Sequence, residues 1–170
     1  MRAVSAFVFA LLLVLQNAAT AAQTEWREFS SDSSGFSILL PDTPKVTARR
    51  IGTSTATQTM FLIERGPNAY LVSVIQMQKG TGPKKPDSAY FQNLMKNYAE
   101  GSKTSLRSSS MITLAGRPAM EGITDAAQTT HLVDLMAAGD RVYLIVYVGS
   151  KGEETGSEAK RMRDSFKLLK

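Results

Sequence analysis

Apolar positions along this chain either alternate, run together or recur at helical spacing, and each habit marks a different kind of element. The most apolar stretch beyond the amino-terminal segment is Arg141-Val142-Tyr143-Leu144-Ile145-Val146-Tyr147-Val148-Gly149. A run this rich in β-branched and aromatic residues suits a central strand covered on both faces. Gln128–Ala137 precedes it across Ala138-Gly139-Asp140, so the pair reads as a hairpin with a tight turn. Upstream, Trp26–Phe29 and Phe36–Leu40 read as short strands around the turn cluster Ser30–Gly35, and Pro41 and Pro44 stop the second. Lys45–Ile51, Thr53–Glu64 and Ala69–Gln78 read as three more, broken near Gly52 and at Gly66-Pro67-Asn68. Ser105–Leu114 is extended and polar, as an edge strand would be, and Ala119–Ala126 follows the turn Gly116-Arg117-Pro118.

Two segments change to helical spacing. Tyr90, Phe91, Leu94, Met95, Tyr98 and Ala99 form one stripe and predict a helix over Ser88–Glu100. Asp87 suits its N-cap and Gly101 its left-handed stop. A last helix is expected over Ser157–Ser165, with Ala159, Met162 and Phe166 on one face. Its basic residues Lys160, Arg161, Arg163 and Lys167 lie toward the end that the helix dipole favours for cations. The prediction is one α+β domain over residues 22–170: an antiparallel sheet of six or more strands with a helix layer on each face.

Composition narrows the classes. Hydrophobic residues make up 43% and charged residues 21%, enough apolar material for one globular core. The net charge of +5 is scattered, with no basic stripe interleaved with aromatics, which argues against nucleic acid as a partner. There is no cysteine, so disulfides, thiolate metal sites and cysteine nucleophiles are excluded. Met1–Ala22 has the layout of a signal peptide: Arg2, the apolar Ala6–Leu15, then small residues with cleavage expected after Ala21 or Ala22. Its apolar run is too short to span about 30 Å of hydrocarbon. No later stretch approaches transmembrane length, so the mature chain is expected to be exported, periplasmic or secreted.

Several motifs together resemble a known family. Trp26-Arg27-Glu28-Phe29 followed by Gly35-Phe36-Ser37-Ile38-Leu39-Leu40-Pro41-Asp42-Thr43-Pro44 resembles the opening of small exported bacterial PsbP-like proteins. Leu114-Ala115-Gly116-Arg117-Pro118-Ala119, Asp140-Arg141-Val142-Tyr143 and Asp164-Ser165-Phe166-Lys167-Leu168 are similar to the same family. The resemblance implies an antiparallel sheet between helical layers and an accessory, assembly or binding role. It implies no shared catalytic site, and no functional residue carries over from it.

Candidate chemistry is sparse. Gly80-Thr81-Gly82-Pro83-Lys84-Lys85-Pro86 lies between a strand and a helix, as a phosphate cradle does. It lacks the third glycine of a dinucleotide loop and the Gly-Lys-Ser/Thr of a P-loop, and its prolines remove donors, so a surface loop is expected. His131 is the only histidine. If Gly139-Asp140 is a two-residue turn, His131 faces Val148 among Val133, Leu135, Val142, Leu144 and Val146, a core face. No second histidine or cysteine stands ready to complete a metal site, and no Gly-x-Ser-x-Gly elbow occurs.

The same register puts Asp134, Tyr143 and Tyr147 on the opposite face, and a further two-residue turn adds Glu121, Ile123 and Asp125. Two tyrosines among carboxylates suit a cationic or sugar-like ligand, with Glu121, Asp134, Tyr143 and Tyr147 as the candidate binding residues. The competing reading is a sheet face partly covered by the Ser88–Glu100 helix, with carboxylates at its wet margin. The sequence therefore points to an exported, non-enzymatic binding or accessory module with a protein partner or small ligand and no cofactor. The alternatives are a carboxylate-based hydrolase using Glu121 and Asp134, and an exported effector or its neutralising partner.

Overall fold

A computed structural model describes residues 25–169; the segment Met1–Ala22 read as a signal peptide lies outside them. Seven strands make one antiparallel sheet: β3 (Lys45–Arg50), β4 (Thr57–Arg65), β5 (Asn68–Gln76), β6 (Ser105–Leu114), β7 (Arg117–Asp125), β8 (Thr129–Ala138) and β9 (Arg141–Ser150). Their order is β3-β4-β5-β9-β8-β7-β6, with the apolar β9 near the middle. Ala138 pairs with Arg141, so the β8–β9 turn has two residues, and Gly139 takes the positive φ of 60° that such a turn requires. The hairpin register is the one its turn chemistry predicts, with His131 opposite Val148.

One face of this sheet carries a complete second layer. β1 (Arg27–Ser31), β2 (Phe36–Leu40) and β10 (Lys167–Leu168) form a separate three-stranded sheet, joined there by α2 (Ser157–Asp164). Alternation reveals a strand's two faces but not its neighbours, so the pattern alone did not separate this small sheet from the large one. Phe36, Ile38 and Leu40 of β2 are buried against Phe61, Tyr70, Val72, Met136, Tyr143 and Ile145. Phe36 stacks on Phe166 at 5.9 Å between centroids and meets Phe61 edge-on at 5.1 Å. Such aromatic pairs add to the area they bury.

The opposite face receives α1 (Ser88–Ser102), whose Phe91 and Met95 are fully buried against Met120, Val133, Leu135 and Val146. Asp87 caps it, accepting from the Tyr90 N–H at 2.8 Å. The helix does not stop at Gly101. The Ser102 hydroxyl donates to the Tyr98 carbonyl at 2.7 Å and prolongs the last turn. Lys103 then takes the left-handed conformation, φ 56°, while its N–H and that of Thr104 close on the carbonyls of Glu100 and Ala99. The expectation that this helix covers the tyrosine face is corrected: its stripe packs on the valine–leucine face, and α2 with the small sheet covers the tyrosines.

Candidate functional site

The register brings the four predicted binding residues onto one face. Glu121 pairs directly with Asp134 across β7–β8, Tyr143 pairs with Met136, and Tyr147 with Leu132. Their surroundings differ sharply. Tyr143 is 1% exposed and Tyr147 4%. The Tyr143 hydroxyl donates to the Ser34 carbonyl at 2.9 Å, and Tyr147 packs edge-on against Tyr70 at 5.5 Å. Tyr143 thus ties the second layer to the sheet, and Tyr147 is packed into the core between the layers.

Asp134 is equally buried, and one of its carboxylate oxygens has no hydrogen-bond partner. Burial, reinforced by the nearby Glu121 charge, pushes its pKa up to about 7. Glu121 is half-buried and ion-paired with Arg163 of α2, which also reaches Asp164. Glu121 lines a small cleft of about 190 Å³ shared with Ile123, Leu132, Lys160 and Arg163.

The other sequence candidates find structural partners. The Asp140 carboxylate accepts the N–H groups of Gly80 and Gly82, both at 2.9 Å, so the loop with a phosphate-cradle layout already holds an internal carboxylate. A Cβ at Gly82 would lie 2.1 Å from the Gly139 carbonyl oxygen, which is why that position is glycine. Both amides hold the Asp140 pKa below the usual carboxylate range. His131 is half-buried with Nδ1 2.7 Å from the Tyr98 hydroxyl, and burial lowers its pKa. In α2, Arg161 lies over the Trp26 ring at 5.3 Å and Arg163 binds Glu121, so two of its cations serve packing. Among the described residues no group of three or more His, Asp or Glu side chains is placed to hold a metal ion.

A surface that the sequence reading missed lies beside α1. Seven strands about 4.8 Å apart make a sheet roughly 29 Å wide, whereas one helix covers about 10 Å. α1 sits over β6, β7 and β8. Over β4, β5 and β9 it leaves Met60, Leu62, Leu71, Ile75, Leu144 and Val148 half-buried. A cleft of about 560 Å³ runs here, floored by Met60, Leu71, Ile75 and Leu144 and walled by Leu94 and Tyr98. Pairing places Lys45 beside Leu62 and Arg49 beside Gln58, so the outer rim of this stripe is basic. Arg49 donates to the Gln58 side chain at 2.9 Å, and Gln58 donates to Ser73 at 2.8 Å. The signal was available in the chain as one mid-chain helical stripe set against seven strands.

Comparison with known proteins bears on the fold. No family model matches the chain, and no curated protein matches it. Among solved structures it is similar to cyanobacterial PsbP (CyanoP) from Synechocystis sp. PCC 6803, with a TM-score of 0.56 at 12% identity. That match covers 91% of this chain and 99% of the other. A Bacteroides thetaiotaomicron VPI-5482 protein matches with a TM-score of 0.38 at 15% identity, over 85% of this chain and 48% of its own. The first likeness shows that the chain has a PsbP-like fold, an antiparallel α+β architecture with α1 on one face of its large sheet and α2 on the other.

Proposed function

We propose that the protein is an exported, non-enzymatic binding or accessory module that receives its partner on the half-covered face of the large sheet. The observation that carries this reading is the open stripe over β4, β5 and β9. A contiguous row of half-buried apolar residues with a polar rim is what an interaction surface presents. The stripe is about one helix wide, and α1 forms one of its walls. The occupant that fits is an amphipathic helix of a partner protein, apolar toward Leu71 and Leu144 and acidic toward Lys45 and Arg49. Export rests on the layout of Met1–Ala22, with removal after Ala21 or Ala22 leaving one domain. No helix among the described residues is long and apolar enough to cross a membrane. The PsbP-like resemblance supports an accessory role. The Glu121, Asp134, Tyr143 and Tyr147 surface takes no part in this proposal: it lies on the opposite face of the sheet, where Glu121 is paired with Arg163 and the other three side chains are buried.

One observation favours a hydrolase as second reading: Glu121 and Asp134 are directly opposed in unlike environments, as acid and base carboxylates are. Burial of Asp134 counts against substrate access and ranks this reading below binding.

Photo-crosslinkers placed at Leu71 and at Leu144 in the tagged protein, produced in its own host, are expected to trap one and the same partner through a helical segment. The double substitution Leu71→Glu and Leu144→Glu is expected to release that partner while thermal unfolding stays within a few degrees of the parent. Equal crosslinking from Val46, on the other face of β3, would overturn the reading.

A further inference from the structure

The large sheet ends in two edge strands, and only one is defended. β3 carries Lys45, Arg49 and Arg50 in six residues, and charges of this density discourage pairing with another chain. β6 is ten residues long with a single charge, Arg107. That charge is not free to guard the edge. It sits where the β6–β7 register shifts, between Leu106 and Ser108, and its guanidinium is held by Asp125 at 2.5 Å and Glu154 at 2.6 Å. The run Ser108–Leu114 that follows contains neither a charge nor a proline. Met111, in the middle of that run, is 43% exposed, and Leu106, on the other side of Arg107, 45%.

We propose that the β6 edge pairs with the β6 edge of a second copy of this chain, antiparallel about a twofold axis at Met111. An axis there lays the uncharged run Ser108–Leu114 against itself. Met111 then meets its own counterpart, and Arg107 lies opposite Ala115. No like charges are opposed, and the outward N–H and C=O groups of β6 find partners on both copies. The bulge at Arg107 ends the ladder on one side. The turn at Ala115 and Gly116, with φ of 47° and 74°, ends it on the other. An extended segment of another protein would meet the same backbone groups. The second copy is favoured because the run that remains unguarded is complementary to itself. A ladder this short is smaller than a standard interface of about 1,200–2,000 Å², so the dimer is reversible and concentration-dependent.

Sedimentation equilibrium of the purified protein, from low to several hundred micromolar, tests this without any outside partner. The parent is expected to self-associate, with amide exchange slowed over Ser108–Leu114 as concentration rises. Met111→Lys and, separately, Ser109→Lys are expected to raise the dissociation constant at least about tenfold with unchanged thermal unfolding. Val46→Lys on β3 replaces a side chain that is 52% exposed, more than Met111, and is expected to leave the equilibrium unchanged. A parent that is monomeric at every concentration would overturn the proposal, as would association that survives both β6 substitutions or is weakened equally by Val46→Lys. The stripe beside α1 plays no part in this experiment, so the two proposals stand or fall separately.

Discussion

The two faces of the large sheet are built from the same strands and do different work. The tyrosine face lies under a full second layer, and its Val72, Met136, Tyr143 and Ile145 are almost without exposure. The face opposite has one helix for seven strands, and Leu71, Ile75 and Leu144 remain half-open. The first face supplies stability and keeps Asp134, Tyr143 and Tyr147 buried out of a ligand's reach. The second is less needed for stability and is therefore free to serve recognition, since binding surfaces are drawn from the less stably packed parts of a fold.

The largest expected difference between the faces is in stability itself. Phe36→Ala, in the closed layer, should cost about 3–5 kcal/mol through loss of buried area and the cavity left behind. Leu71→Ala, on the open stripe, should cost under about 1 kcal/mol. Urea midpoints with unchanged slopes measure both, and similar losses from the two would erase the distinction.

A second contrast lies within the closed face, where Asp134 is the buried group out of place. Its native carboxyl keeps a proton up to about pH 7, whereas in the unfolded chain it ionises near 3.9. Between those values the native state holds the extra proton. The contribution of Asp134 is therefore fully present below about pH 4 and is lost as pH rises through about 7. The charged groups acting on it are Glu121, Arg163 and Asp164. Asp134→Asn is expected to stabilise the protein at pH 8 by about 2–4 kcal/mol, with the gain shrinking toward zero near pH 4. A gain independent of pH would show that Asp134 is not the titrating group.

The smallest effect marks where α1 sits. A Cβ at Gly122 would come within 2.4 Å of the Met95 side chain. Gly122→Ala should therefore cost about 1–2 kcal/mol, and adding Met95→Ala should cost less than the sum of the two changes. Additive costs in a double-mutant cycle would mean that Met95 does not pack there.

Much of this was legible in the chain, and for definite reasons. Two-residue turns fix parity, so Gly139-Asp140 placed His131 opposite Val148, and the further turn between Ala126 and Thr129 brought Glu121 to the face of Asp134. The stripe from Tyr90 to Ala99 revealed a helix with one buried side. A stripe shows that a helix is buried, not against what, so α1 was expected over the tyrosines and lies over the valines. The exposure of Tyr143 and Tyr147 was misjudged for a related reason. The strand that covers them, Phe36–Leu40, comes from the far end of the chain, and no local pattern reports that packing. Gly101 suggested a helix stop by residue type, but the bond from Ser102 to Tyr98 outweighed it.

The closed layer also sets an order of events. The Leu39 N–H donates to the Ser165 hydroxyl across 126 positions of chain, and Lys167 and Leu168 pair with Ser37 and Phe36. The strand synthesised early thus waits for residues made 126 positions later, and the entropy of closing so long a loop must be met before the layer returns any stabilisation. Until then Phe36 and its aromatic neighbours lack the Phe166 ring that completes their packing. The hairpins of the large sheet can form meanwhile from short-range pairings, so folding should proceed from the sheet outward, with its first strands among the last to lock.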